Sequence, residues 1–123
     1  DPAGLEAVVA AHARHPDLQV LVGFNRRFAP QARQVRKLIE GRAGPVALRM
    51  LINAGSVPAD SWIHDPAIGG GRIIGEACHF VDLALFLVGA PIERVQAVSF
   101  NRGAGPLDAD KMGIHLTFTD GSI

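Results

Sequence analysis

The chain has one cysteine, Cys78, so no internal disulfide can form, and a lone thiol fits a reducing compartment; a cytoplasmic location is expected. It has no excess of either charge: 12 Lys and Arg face 12 Asp and Glu. Nothing therefore steers it toward nucleic acid or an anionic membrane surface, and neither is expected as a partner. No apolar run reaches the roughly 18 residues that a membrane-spanning helix needs. No repeat and no low-complexity tract is present. The dinucleotide fingerprint is also missing. The one dense glycine run, GGGRIIG (69–75), has Ile74 where the third glycine of G-x-G-x-x-G belongs, and SWIHDPAI before it is a poor strand. What remains is ordinary globular composition, 48% hydrophobic and 20% charged over 123 residues, about enough for one domain.

The chain opens on DPAG without a Met and closes on HLTFTDGSI, a strand pattern followed by an Asp-Gly hairpin turn and two further residues. It reads as a fragment of a longer protein. Apolar residues at 5, 8, 9 and 13 predict a helix over 5–14, ended by Pro16. LQVLVGF (18–24) predicts a short buried strand, and a helix followed by an apolar strand is one piece of a parallel α/β sheet. A second helix is predicted over about 30–40, with Pro30 at its start, Val35, Leu38 and Ile39 as its stripe, and Gly41 as its stop. PVALRMLIN (45–53) reads as a strand. The long loop 54–71 follows, and loops of that length are often functional. A helix of about 16 residues then runs to Gly89 and Pro91. Two further strands, 92–101 and 112–119, are joined by a polar loop.

The helix after the triple glycine draws attention. Arg72, Glu76 and His79 fall within about 60° of one another on an α-helical wheel, with Gly75 and Asp82 beside them, and the rest is apolar. Such a helix is expected to be buried nearly all round. Buried ionisable groups are costly unless paired or hydrogen-bonded, so two readings stand side by side. One is an internal network, with Arg72–Glu76 and His79–Asp82 as pairs. The other is a ligand-facing site in which His79 is the acid or base, since imidazole titrates near neutral pH. Gly75 would let another molecule approach the backbone closely. The triple glycine is expected to open the helix and leave its amides free for a polar ligand. Arg26 and Arg27 follow a buried run, where open α/β sheets place ligands, although Arg27 reads equally well as a surface charge. Asn53 ends a predicted strand facing the long loop, which carries Trp62 and His64. His12, His15 and His115 are taken as exposed or structural.

Three stretches taken in order, VGFNRRFAP (22–30), W-x-x-D-P-x-x-G-G-G (62–71) and H-F-V-D-L with F-L-V-G (79–89), resemble the glucose-fructose oxidoreductase/inositol dehydrogenase/rhizopine-catabolism family, Gfo/Idh/MocA. The resemblance implies an NAD(P)-dependent oxidoreductase acting on a sugar, cyclitol or related polyol. It implies the class α/β (α+β): an open, largely antiparallel or mixed sheet with helices on one face, preceded by the last helix–strand unit of a Rossmann domain. Residues 1–24 would belong to that truncated nucleotide-binding domain. Residues 25–123 would be part of a substrate-binding and oligomerisation domain, with homo-oligomers forming through the sheet.

By the same likeness His79 matches the family's catalytic histidine and Asp82 the acid three residues later. The family's usual aspartate, four residues before the histidine, is Gly75 here, with Glu76 adjacent. The expected roles are His79 and Glu76 in catalysis; Arg26, Asn53, Trp62, His64, Arg72 and Asp82 on the substrate; and Gly75 against the NAD or NADP. No metal is expected. The nucleotide loop is not in this chain, so the chain by itself is expected to be inactive. Two other classes remain: a non-catalytic binding or assembly module, and a metal-dependent hydrolase using Glu76, Cys78, His79 and His64. Against the hydrolase, adjacent Cys78 and His79 diverge by about 100° on a helix.

Overall fold

The structure, a computed structural model, describes residues 2–65, 67–99 and 111–123. Helix α1 spans Pro2–Arg14, beginning three residues before its apolar period does, and none of its residues is buried. The strand expected over 18–24 is not formed. The run pairs with no other strand among the described residues: Leu18 sits in a bend, the Phe24 N–H turns back to the Val22 carbonyl (2.8 Å), and Leu21 is 94% exposed. The physical reason is that an extended run becomes a strand only when a neighbour supplies its ladder of hydrogen bonds. The sequence leaves the partner open.

A 3₁₀ turn at Arg26–Phe28 leads into α2, Pro30–Ile39. Pro30 stands at its first turn, where a missing N–H costs nothing. Beyond it, Gly41 takes the left-handed conformation that ends the helix (φ 79°). In the segment predicted as a strand over 45–53, Val46, Leu48 and Met50 turn inward while Ala47 and Arg49 face out, the period of two of an extended chain. Among the described residues its backbone is paired only at one end. The Ile123 N–H donates to the Val46 carbonyl (3.0 Å), the Leu48 N–H donates to the Ile123 carbonyl (2.7 Å), and the Val46 N–H donates to Ser122 Oγ (3.0 Å). The Asp-Gly turn forms as expected: Gly121 N–H donates to the Phe118 carbonyl and Phe118 N–H to the Ser122 carbonyl, both at 2.9 Å.

The helix after the triple glycine is in two parts: a π turn, Ile73–Ala77, then α3, Cys78–Val88, closed by Gly89 in the left-handed conformation (φ 74°). It is not buried all round; only Asp82, Ala84, Leu87 and Val88 are. Strands β1 (Ile92–Ser99) and β2 (Met112–Phe118) pair antiparallel, with a bulge between Ile92 and Arg94. Residues 100 and 101 of the first predicted strand, and most of the loop after them, lie outside the described residues. Ala84, Val88 and Phe118 form the buried core, packed by Val46, Leu48, Met50, Leu85, Ala90, Ile92 and Leu116. Helix α3 thus packs on one end of an open two-stranded antiparallel sheet, at Ile92, Leu116 and Phe118, and α2 packs against α3. The class expected of the larger part of the chain is the one observed.

Candidate active site

The π turn decides which side chains meet. It bonds each residue to the fifth along instead of the fourth, so the residues before α3 leave the α-helical wheel. The expected Arg72–Glu76 pair is accordingly absent. Arg72 reaches back to the long loop, its Nη1 donating to the Gly55 carbonyl (2.7 Å) and Nη2 to the Ala54 carbonyl (3.3 Å). Glu76 turns instead to Arg26, Nη2 to Oε2 3.7 Å, with both side chains about half exposed. A pair that open contributes little to stability, so both groups remain available to a ligand. The Arg26 guanidinium also lies over the Phe80 ring, 4.2 Å from its centroid.

The expected His79–Asp82 pair is also absent. Asp82 is buried and gives both carboxylate oxygens to Arg27: Nε donates to Oδ2 at 2.9 Å and Nη2 donates to Oδ1. The Asp82 carboxylate, chiefly as a hydrogen-bond acceptor, pushes Arg27 above its ordinary high pKa against the desolvation that lowers it. Asp82, expected on the substrate, is therefore occupied by a protein partner. His79 is half-buried. Its ring meets Phe24 edge-on, centroids 5.7 Å apart and planes at 84°. Its Nδ1 is buried and has no hydrogen-bond partner among the described residues. A buried nitrogen without a partner is a costly arrangement in a finished core and an ordinary one in a site that awaits a ligand.

The triple glycine does not leave its amides free. Gly69 and Gly70 N–H both donate to the Asp65 carbonyl (2.9 Å), and Gly71 N–H donates to the Ile63 carbonyl (2.8 Å). The loop folds on itself, and this tight turn is what needs glycine. A Cβ on Gly69 would stand 2.5 Å from the Ile63 backbone, while Gly70 and Gly71 have φ of 66° and 86°. Trp62 and His64 lie on a 3₁₀ turn in this loop, Trp62 exposed and His64 half-buried. Asn53 is exposed, and its Oδ1 accepts from its own chain at Gly55 N–H (3.4 Å).

The fold therefore brings Arg26, from the 3₁₀ turn, against Glu76 on the π turn, one turn before His79 on α3, and ties Arg72 to the loop just beyond Asn53. Gly75 lies between them in sequence with nothing within 4 Å of where its Cβ would stand. Arg26 also borders a groove of about 370 Å³, whose lining is mostly apolar (Ala29, Ala32, Val35, Leu83 and Leu87) with Gln31 as its other polar side chain. Glu76, Cys78, His64 and His79 do not form a ligand set. Among the described residues, no three His, Cys, Asp or Glu side chains are placed to share an ion.

Sequence reasoning missed Phe24 and the role of Arg27. The available signal was Asp82 itself: a carboxylate in an apolar helix needs a cation, and the adjacent arginines 26 and 27 were candidates.

The family model of the GFO/IDH/MocA C-terminal domain matches residues 32–123. The chain is also similar to "Uncharacterized oxidoreductase YrbE" of Bacillus subtilis (strain 168), 29% identical over 96% of this chain and 35% of that protein, so it spans about a third of that relative's length. No solved structure matches it. The matched region holds α3, the sheet, and the helix turn bearing Glu76 and His79, and the chain belongs to the GFO/IDH/MocA family.

Proposed function

We propose that this chain supplies the substrate side of an NAD(P)-dependent dehydrogenase acting on a sugar, cyclitol or related polyol. The observation that carries the reading is His79: a titratable ring at the start of a helix, its Nδ1 buried and unpartnered among the described residues, just after the turn where Glu76, half exposed, meets the half-exposed Arg26. The relative's printed name, an oxidoreductase, and the family membership support the same class.

The residues present fit the nicotinamide end of the cofactor. Gly75 offers bare, open backbone beside them, against which a flat ring can lie. Bound there, nicotinamide supplies hydride acceptance and donation. The chain's own residues do the rest. His79 holds or takes the proton of the reacting hydroxyl. Arg26 and Glu76 offer a donor fork and an acceptor to neighbouring hydroxyls. Arg72, held by two backbone carbonyls, keeps the loop carrying Asn53 close to the helix.

The test uses the intact protein with NAD⁺ or NADP⁺ and a panel of polyols and aldoses, following reduced nicotinamide by absorbance. His79→Ala is expected to lower kcat by about 10²–10⁴-fold. It should leave the melting temperature within a few degrees, since no packed core is opened. Unfolding of His79→Ala with undiminished turnover in its soluble fraction would overturn the assignment, as would the absence of any nicotinamide-linked turnover.

A further inference from the structure

One short segment takes hold of a single helix at successive points. Phe24 meets His79, Arg26 meets Glu76 and Phe80, and Arg27 meets Asp82, with Phe86 5.7 Å from its guanidinium. Residues 24–28 therefore lie as a strap along the π turn and the first half of α3. The points of attachment are unequal. The Arg26–Glu76 pair is long and open to solvent. The Arg27–Asp82 pair is bidentate, and its carboxylate is 7% exposed. A buried carboxylate must be neutralised, and a guanidinium fork does this with fixed geometry. The partners are 55 residues apart, so the pair stabilises nothing within the helix and instead fixes the strap to it. His79 is held differently. With Nδ1 lacking a hydrogen-bond partner among the described residues, the angle of its ring is set by packing against Phe24, three residues before Arg27 on the same strap.

We propose that Arg27 is a positioning residue for His79: its clamp on Asp82 holds the strap, and through Phe24 the strap holds the imidazole at one angle to the ligand face. Arg27 touches no reacting atom. Its effect on turnover rests on the dehydrogenase reading, whereas its effect on the histidine ring does not.

The two can be separated in the intact protein carrying ¹³Cε1-labelled histidine, with the His79 signal identified by its loss in His79→Ala. The paired replacement Arg27→Met with Asp82→Leu removes both charges and fills the space with apolar groups, which often preserves stability at a buried ion pair. The expected result is a melting temperature within a few degrees of the parent, a His79 ring signal moved toward its position in an unstructured chain, and unmoved methyl signals from Leu87 and Val88. With a polyol that supports turnover, kcat is expected to fall by about tenfold or more at nearly constant KM, as a misplaced group lowers rate more than binding. If the paired variant unfolds, Arg27→Lys decides. It keeps the charge and loses the fork, and the same shift of the His79 signal is expected. An unmoved His79 signal in a folded variant overturns the proposal. If no nicotinamide-linked turnover exists at all, the dehydrogenase reading falls, and the His79 signal alone still tests Arg27.

Discussion

Gly69 and Gly75 belong to the same glycine-rich stretch and have opposite physical roles. At Gly69 a Cβ would stand 2.5 Å from both Cα and O of Ile63, and backbone cannot step aside as a flexible side chain can. Gly69→Ala is expected to displace the turn carrying Trp62 and His64 and to cost about 1–3 kcal/mol, as overpacking typically does. Gly75 has nothing within 4 Å. Gly75→Ala is expected to stabilise the helix by about 0.5–1 kcal/mol. It should also lower turnover, because it sets a methyl on the face proposed for nicotinamide. Melting curves and steady-state kinetics of the two variants check both statements, and a Gly75→Ala enzyme with unchanged KM for the cofactor would remove Gly75 from the site. Polar residues in an apolar run are conspicuous, which made Glu76, His79 and Asp82 legible as a group. Their partners were not legible. Arg26 and Arg27 are adjacent and chemically alike, and no local rule says that one reaches a buried carboxylate about fifty residues away while the other stays at 41% exposure.

At the scale of elements, the sequence dictated α2 nearly to the residue and gave the right end to α3, because Pro30, Gly41 and Gly89 act through backbone geometry that needs no tertiary partner. It did not reveal the π turn. A wheel drawn at the α-helical period places Arg72 next to Glu76, and the inserted turn separates them. The far end of α3 shows another device that local patterns miss. Its last turn has no basic residue of its own, and its carbonyls are met from outside. Arg36 Nη1 donates to the Leu87 carbonyl (2.8 Å), and Arg42 Nη2 donates to the Val88 carbonyl (3.0 Å) and to Asp120 Oδ2 (2.6 Å). The Ser122 backbone N–H above all, with its side chain and Arg42 adding to it, holds the Asp120 carboxyl below the usual aspartate range against an opposing desolvation. A carboxyl depressed in the folded state stabilises it above the ordinary aspartate value of about 3.9, and this contribution is lost as pH falls toward the lower folded value. The melting temperature of the parent is therefore expected to exceed that of Asp120→Asn above about pH 4, and the two are expected to converge as the solution is acidified further. A gap that stays constant across that range would show that the carboxylate's charge plays no part.

Among the described residues of the whole chain, few large side chains are buried and many are uncovered. Leu87, Val88 and Phe118 are buried with Ala84, while Leu5, Val8, Val9, Leu18, Val20, Leu21 and Val22 of α1 and the run after it are all at least half exposed. Small chains bury a modest share of their surface, and exposed apolar residues recur along the described chain, with one group at 5–22. The expected strand over 18–24 is apolar but does not form: a strand needs a neighbouring ladder, and none pairs with it among the described residues. We propose that residues 1–24 belong to the edge of a nucleotide-binding domain and residues 25–123 to the substrate domain, and the proposal has a measurable consequence. Local stability follows burial and packing, so the amides of α1 in the 123-residue chain are expected to exchange with solvent rapidly, while those around Leu87 and Val88 exchange near the limit set by global unfolding. In the intact protein, a sheet that takes in 18–24 would pair its backbone and cover Leu5, Val8 and Val9. Exchange in 2–24 is then expected to slow by orders of magnitude, with little change in α3. The same uncovered faces are expected to drive self-association of the 123-residue chain at high concentration, visible in sedimentation, and the comparison should be made where that chain is dilute. Equally fast exchange of residues 2–24 in both proteins would show that this segment docks on nothing, and the division of the chain at residue 24 would have to be withdrawn.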